Sequence, residues 1–145
     1  MFQKILTVCT GNLCRSPMAE AWLRHRAAAQ PLTVSSAGLS ALVGEPAPEN
    51  AVTLLQQKGV DLSAHRARQL EPSHVLASDL VLVMEKWQKA EVERLCPPAR
   101  GRTYLLAHWQ DGLEIKDPYR GSAALFEEVF DKISVAVDAW LERLH

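Results

Sequence analysis

Hydrophobic residues alternate between short continuous runs and helical spacing along most of the chain. The first run, Ile5 to Val8, is partly β-branched and precedes a glycine-containing turn, which is typical of a buried parallel strand. From Pro17 onward, apolar residues recur every three or four positions until Gln30 and Pro31, which predicts a helix with proline in its first turn. The chain therefore opens with a strand, a loop and a helix.

The same alternation continues towards the C-terminus. We predict strands over 32–37 and 80–84, helices over 48–58 and 86–95, a short strand at Tyr104 and Leu105, and a helix whose apolar face runs from Leu125 to Leu144. Strands that alternate with helices indicate one α/β domain, residues 1–145, with a parallel sheet covered on both faces. Such folds bind ligands beyond the carboxyl ends of their strands, and Cys9 lies at such an end.

Composition narrows the class of protein. The 16 Lys and Arg residues against 17 Asp and Glu give a net charge of -1, so no overall field favours nucleic acid or an anionic membrane. No apolar run approaches the roughly 18 residues of a membrane span, and the first residues lack the features of a signal peptide. Three cysteines without a C-x-x-C pair argue against a disulfide framework and a structural zinc site. We expect a soluble, monomeric, cytoplasmic protein that has no nucleic-acid partner and does not insert into a membrane.

Two stretches share the form Cys, five residues, Arg, then a hydroxyl residue: "CTGNLCRS" from Cys9 and "CPPARGRT" from Cys96. A loop that surrounds a phosphate needs successive backbone N–H donors, and a following helix N-terminus adds further donors and its positive dipole end. The first stretch contains no proline, follows a strand and opens a helix. Gly11 and Asn12 tolerate the tight backbone that a ring of amides requires. We therefore interpret the first stretch as a chemical site.

The second stretch lacks these properties. Pro97 and Pro98 have no N–H to donate, and Cys96 follows the last turn of a predicted helix, where carbonyl groups disfavour a thiolate. We interpret it as a helix stop and linker, with Arg100 and Arg102 as solvated surface charges.

The first stretch predicts phosphoryl chemistry at a thiol. Amides, a helix N-terminus and the guanidinium of Arg15 would stabilise a Cys9 thiolate, and Arg15 can hold two phosphoryl oxygens. Ser16 can donate a hydrogen bond to the sulfur. An acid for the leaving oxygen is absent from the loop, and Asp117 in "KDPYRGS" is the best candidate because the following proline restricts its backbone. Asp111 and Glu114 compete formally, but neither precedes Pro-Tyr.

These residues make the sequence resemble the low-molecular-weight protein tyrosine phosphatases. The resemblance rests on "VCTGNLCRSPMAEA" and a distal "DPY", with "SSAGL", "HRARQL" and "DPYRGS" in the family's order. It implies a four-stranded parallel sheet flanked by helices, with the phosphate-binding loop between the first strand and the first helix. It also implies hydrolysis of protein phosphotyrosine through a phosphocysteine intermediate, without metal or other cofactor.

The resemblance also assigns roles to residues. It implies that Cys9 is the nucleophile, that Arg15 binds phosphate, and that Asp117 is the general acid and then the base. The remaining expected site residues are the loop members Thr10, Gly11, Asn12, Leu13, Cys14 and Ser16, the supporting residues Ser36 and His65, and the cleft residues Leu42 and Tyr119. Cys14 either packs or forms a reversible disulfide with Cys9, which would shield the reactive thiol from irreversible oxidation.

One position points to a subgroup. Leu42 occupies a place where family members from animals carry a large aromatic residue. This residue, together with "HWQ" before "DPYR", resembles bacterial phosphatases that act on autophosphorylated tyrosine kinases controlling capsule or exopolysaccharide export. We therefore expect such a tyrosine autokinase as the protein substrate.

Three other functions compete with this hypothesis. An arsenate reductase needs further relay cysteines, and Cys96 beside two prolines is a poor candidate. Relatives that are protein-arginine phosphatases carry threonine where Leu13 stands, and an aliphatic side chain there favours a phenol ring. A non-catalytic phosphotyrosine-binding module would need neither Cys9 nor Asp117, and the chain has both.

Overall fold

Four parallel strands form the centre of the structure, a computed structural model that describes residues 3–144. The strands are β1 (Lys4–Cys9), β2 (Thr33–Gly38), β3 (Leu80–Val83) and β4 (Thr103–Leu105), in the order β2-β1-β3-β4. The parallel pairs are β1 with β2, β1 with β3, and β3 with β4. The expected α/β fold with a four-stranded parallel sheet is thus confirmed. The ends of the predicted domain, residues 1 and 145, lie outside the described residues.

The helices cover both faces of the sheet. They are α1 (Arg15–Arg26), α2 (Glu49–Gln57), α3 (Pro72–Leu76), α4 (Lys86–Leu95) and α5 (Ala123–Leu141), with a 3-10 helix at Pro97–Ala99. Helices α1, α2 and α5 pack on one face, and α3, α4 and the 3-10 helix pack on the other. Between residues 3 and 144, no helix is long and apolar enough to cross a membrane.

Strand β1 supplies side chains to both cores because its residues alternate between the two faces. Ile5 and Cys9 belong to the core under α1 and α5, whereas Leu6 and Val8 belong to the core under α4. β2 lies on one side of β1 and β3 on the other, so the strand order reverses direction at β1. Ligands bind at such a switch point, beyond the carboxyl end of the strand, which is Cys9 here.

The predicted element boundaries hold to within a few residues, except at the end of the first helix. α1 ends at Arg26 rather than near Gln30, because Ala27 is the last buried residue of its apolar face and Pro31 favours an extended chain before it. The short α3 was not predicted. Its signal is local, since Glu71 and His74 form a capping box around Pro72.

The prediction for "CPPARGRT" is partly wrong. Pro97–Ala99 forms a 3-10 helix with a buried Ala99, and Thr103 begins β4, so the segment is an ordered part of the second core. Arg102 is half-buried and donates from Nη1 to the carbonyl of Ser78 at 2.9 Å, so it is not simply a solvated charge. Arg100 is exposed, as expected.

Candidate active site

The loop segment 9–16, which runs from the last residue of β1 into the first turn of α1, borders a cavity of about 220 Å³. Residues from three distant parts of the chain meet there. The loop contributes Cys9, Thr10, Gly11, Leu13, Cys14 and Arg15, the segment after β2 contributes Ser40 and Leu42, and the segment before α5 contributes Asp117 and Tyr119. The structure therefore brings together the three expected catalytic residues and both expected cleft residues.

The loop offers a row of unpaired backbone donors. From Thr10 to Ser16, no backbone N–H donates a hydrogen bond to another group within residues 3–144. Unpaired buried amides cost free energy unless a ligand or water accepts from them, and successive amides before a helix N-terminus are suited to an anion. The loop can therefore receive the oxygens of a phosphoryl group.

Asn12 holds the loop in shape. Its φ of 58° is in the left-handed region, which asparagine tolerates better than most residues. Its Nδ2 donates to Ser16 Oγ at 2.9 Å and to Ser36 Oγ at 3.0 Å, and its Oδ1 accepts from the Arg68 amide at 2.9 Å. The Asn12 carbonyl accepts from His65 Nε2 at 2.7 Å. Ser36 and His65, the two expected supporting residues, both contact the loop through Asn12.

The hydrogen bonds around Asn12 determine which atom donates in the bond between Ser16 Oγ and Cys9 Sγ. Ser36 Oγ donates to Glu20 Oε1 at 2.6 Å, so it accepts from Asn12. Ser16 Oγ likewise accepts from Asn12, which leaves its own proton for Cys9 Sγ at 2.9 Å. Ser16 is thus placed to stabilise negative charge on Cys9.

Arg15 is buried, with 2% of its side chain exposed, and only one end of its guanidinium is held by protein groups. Nη1 donates to Glu85 Oε2 at 2.6 Å and to the Ile115 carbonyl at 2.8 Å. Nε has no hydrogen-bond partner in the described chain, and Nη2 has one ion-pair contact, with Asp117 Oδ2 at 3.9 Å. Nε–H and one Nη2–H lie along the same edge of a guanidinium, so this fork remains available to two phosphoryl oxygens.

Asp117 also lines the cavity, from the segment before α5. Its Oδ1 accepts from the Tyr119 amide at 3.0 Å, which fixes the carboxyl relative to the following turn. About half of the side chain, 48%, is exposed, so a leaving group can reach it. Its two competitors lie elsewhere: Glu114 accepts from the Lys86 amide, and neither Glu114 nor Asp111 borders the cavity.

Cys14, like Cys9, is a free and buried thiol. Burial, together with the nearby charges of Asp117 and Cys9, raises the pKa of Cys14 to about 12. Cys14 is therefore a neutral thiol near physiological pH.

Cys96 lies away from the cavity. It belongs to the core under α4, on the face of the sheet opposite Cys9 and Cys14. A sulfur at this position cannot relay a disulfide from the loop without large rearrangement, which argues against arsenate-reductase chemistry. Within residues 3–144, no three His, Cys, Asp or Glu side chains are placed so that they could jointly hold a metal ion.

Several supporting residues were missed in the sequence. Glu85 and Gln88 form the capping box of α4; Glu85 also holds Arg15, and Gln88 Nε2 donates to Thr10 Oγ1 at 3.1 Å. The usual capping-box pattern begins with Ser, Thr, Asp or Asn, so "EKWQ" gives no clear signal, and its contacts with a loop some 70 residues earlier depend on the tertiary fold. Glycine is required at position 38 because the backbone of the loop lies too close for a side chain: a Cβ there would be 2.6 Å from the Thr10 carbonyl oxygen.

Comparison with known proteins agrees with this geometry. The chain is 43% identical over 144 residues to the probable low molecular weight protein-tyrosine-phosphatase EpsP of Ralstonia nicotianae, covering 99% of this chain and 97% of the relative. Among solved structures, Vibrio vulnificus Wzb in complex with benzylphosphonate superposes with a TM-score of 0.95 at 37% identity, covering 99% of this chain and all of that one.

A relative with a different named activity is also similar. The YwlE arginine phosphatase from Geobacillus stearothermophilus has a TM-score of 0.91 and 33% identity, over 98% of this chain and 92% of that chain. A family model described as low molecular weight phosphotyrosine protein phosphatase matches residues 4–145. The chain therefore belongs to the low molecular weight phosphotyrosine protein phosphatase family.

Proposed function

We propose that this protein hydrolyses phosphotyrosine in proteins through a phosphocysteine intermediate. The observation that carries the proposal is the shared cavity of Cys9, the free edge of Arg15 and Asp117, with the unpaired loop amides around it. Phosphoryl transfer depends mainly on positioning and on stabilising charge at the phosphoryl oxygens, and these groups supply both.

In the first step, the Cys9 thiolate attacks phosphorus and forms an S–P bond while the bond between phosphorus and the tyrosine oxygen breaks. The loop amides and the Nε–Nη2 edge of Arg15 stabilise the equatorial oxygens. Asp117, in its acid form, donates its proton to the departing phenolate oxygen. The phenol leaves neutral, and phosphate remains on Cys9.

In the second step, water replaces the sulfur. The Asp117 carboxylate accepts a proton from water as the water oxygen attacks phosphorus, and the S–P bond breaks to release inorganic phosphate. The hydrogen bond from Ser16 Oγ stabilises the thiolate of Cys9 as it leaves. Asp117 is then protonated and ready for another cycle.

The cavity walls favour an aromatic substrate. Leu13, Leu42 and Tyr119 provide apolar and aromatic surface beside Cys9. The solved Wzb relative binds benzylphosphonate, a phosphonate attached to a benzyl ring. By the resemblance to the bacterial branch, we propose an autophosphorylated tyrosine kinase of polysaccharide export as the protein substrate.

The chemistry of the site also bears on the cellular compartment and the oligomeric state. A nucleophilic thiol needs a reducing compartment, so we propose that the protein works in the cytoplasm. Every group assigned to the site comes from one chain, so a monomer is sufficient for activity.

Arginine phosphatase activity is a second candidate because of the similarity to YwlE. The side chain that decides between the two is Leu13, which borders the cavity and offers no hydroxyl to a guanidine group. We therefore expect phosphotyrosine to be preferred, and Leu13→Thr to shift the preference towards phosphoarginine.

The test is release of phosphate from matched phosphotyrosine and phosphoarginine peptides, including peptides from the tyrosine cluster of an autokinase. Rapid quenching of Asp117→Asn with p-nitrophenyl phosphate, whose leaving group needs little protonation, should trap one phosphoryl group on Cys9, detected by mass spectrometry. Preferential hydrolysis of phosphoarginine would contradict the proposed substrate. Release of p-nitrophenol by this variant without a phosphorylated Cys9 would contradict the intermediate.

A further inference from the structure

Arg120 is an exposed cation beside the cleft with no anionic partner. Its guanidinium carbon lies 5.3 Å from the centre of the Tyr119 ring, which forms a wall of the cavity. Among the described residues, Arg120 makes no side-chain hydrogen bond or ion pair. Most of the other arginines bind a carboxylate or a backbone carbonyl; these are Arg15, Arg24, Arg26, Arg66, Arg68, Arg94, Arg102 and Arg143. Arg120 therefore has hydrogen-bonding capacity that the fold does not use.

The backbone at this position is unfavourable for arginine. Arg120 has φ 66°, and the Gly121 amide donates to the Pro118 carbonyl at 2.7 Å. This is the pattern of a type II turn, whose third position favours glycine or asparagine. A bulky residue in the left-handed region is a reason to look for a function of its side chain.

The turn that carries Arg120 is held in place on both sides, so the backbone at Arg120 has a defined location. Asp117 Oδ1 accepts from the Tyr119 amide, and Asn50 Nδ2 donates to the Gly121 carbonyl at 3.3 Å. A Cβ on Gly121 would lie 2.5 Å from Leu125 Cδ2, so the turn also packs closely against α5. Stacking on Tyr119 further restricts the Arg120 side chain.

From this arrangement we infer that Arg120 is a specificity-determining residue, which binds an anionic group next to the phosphotyrosine of the substrate. The inference rests on the proposed phosphotyrosine hydrolysis. Arg120 does not border the cavity that receives the phosphoryl group, so its partner lies on the substrate outside that cavity. Tyr119 lines the cavity and its ring lies beside the Arg120 guanidinium, so a phosphotyrosine ring packed against Tyr119 would bring the adjoining residues of a peptide within reach of Arg120. The partner is a carboxylate of Asp or Glu, or the phosphate of a second phosphotyrosine.

The test compares three peptides that differ only beside the phosphotyrosine: one with Asp and Glu, one with Asn and Gln, and one with a second phosphotyrosine. We expect kcat/KM for at least one anionic peptide to exceed that for the neutral peptide by about threefold to tenfold, as for an exposed charge-assisted contact. Arg120→Gln should reduce this ratio to about one, Arg120→Lys should preserve part of it, and added salt should weaken it.

Two further variants separate charge from conformation. Arg100→Gln removes another exposed arginine, which follows the 3-10 helix at the amino end of β4, and it should leave the ratio unchanged. Arg120→Gly removes the unfavourable positive φ of a non-glycine residue, and it should abolish the preference for anionic peptides as Arg120→Gln does. Equal rates for charged and neutral peptides in wild type, or a preference retained in both Arg120→Gln and Arg120→Gly, would overturn the inference. Failure of the wild type to hydrolyse any phosphotyrosine peptide would overturn the proposed function as well.

Discussion

Glu85 Oε2 lies 2.6 Å from Arg15 Nη1, although the two residues are 70 positions apart. Glu85 is also the N-cap of α4: its backbone carbonyl accepts from the Gln88 amide at 3.0 Å, and its own amide donates to Gln88 Oε1 at 2.9 Å. One residue therefore joins the start of a helix to Arg15, the arginine proposed to bind phosphate. Because it holds Nη1, it leaves the Nε–Nη2 edge for the substrate.

We predict that Glu85→Gln lowers kcat/KM for phosphotyrosine substrates about tenfold, because the neutral amide holds Arg15 less firmly in its binding orientation. Steady-state kinetics check this. The control is Glu91→Gln, which removes a surface pair with Arg94 and should leave kcat/KM unchanged. Equal kinetics for the Glu85 variant and wild type would show that Arg15 needs no such support.

Ser36→Ala should destabilise the protein by about 1–2 kcal/mol, because Asn12 Nδ2 and Glu20 then lose a buried hydrogen-bond partner. Ser35→Ala is the matched control on the same strand, since the Ser35 hydroxyl makes no such bond in the described structure. Urea unfolding of both variants measures the difference. The role assigned to Ser36 is wrong if the two variants unfold at the same urea concentration.

The raised pKa of Cys14 predicts a loss of stability at high pH. The folded-state pKa, about 12, lies above the ordinary value of 9.0, so the unfolded chain ionises first as pH rises. Between about pH 8 and about pH 10 this thiol should lower the free energy of unfolding by about 1 kcal/mol. Cys14→Ala should lose less stability than wild type over this interval. Parallel pH profiles for the two proteins would contradict the expected ionisation.

The reversible disulfide between Cys9 and Cys14 remains a prediction from the family resemblance. If it protects Cys9, then mild peroxide should inactivate Cys14→Ser in a form that thiols only partly restore, because Cys9 is oxidised further. Wild type treated in the same way should recover fully. Full recovery of the Cys14→Ser variant would exclude the protective role.

The position of the loop proposed to bind phosphate could be predicted from the sequence because its signals are local. An apolar strand, a proline-free stretch with Gly11 and Asn12, and Pro17 in the first turn of a helix all lie within consecutive residues. Asp117 could be chosen as a candidate acid because it precedes proline and tyrosine in the motif "DPY". The structure places these residues around one cavity.

The side-chain contacts that hold the loop in place were harder to predict from the sequence, because they join residues that are far apart along the chain. Neither periodicity nor composition indicates that Glu85 reaches Arg15, or that Glu20 accepts from Ser36. The half-buried state of Arg102 likewise depends on its contact with Ser78, 24 positions earlier. These contacts arise when helices and strands pack, so a single sequence leaves them undetermined.

The most direct test of the account is release of phosphate from a phosphotyrosine peptide in the presence of a metal chelator. Wild type should remain active, Cys9→Ser should show no turnover, and Asp117→Asn should be slowed by about a hundredfold or more because the leaving group lacks its proton donor. The account is contradicted if Cys9→Ser still turns over, or if the chelator abolishes the activity of wild type.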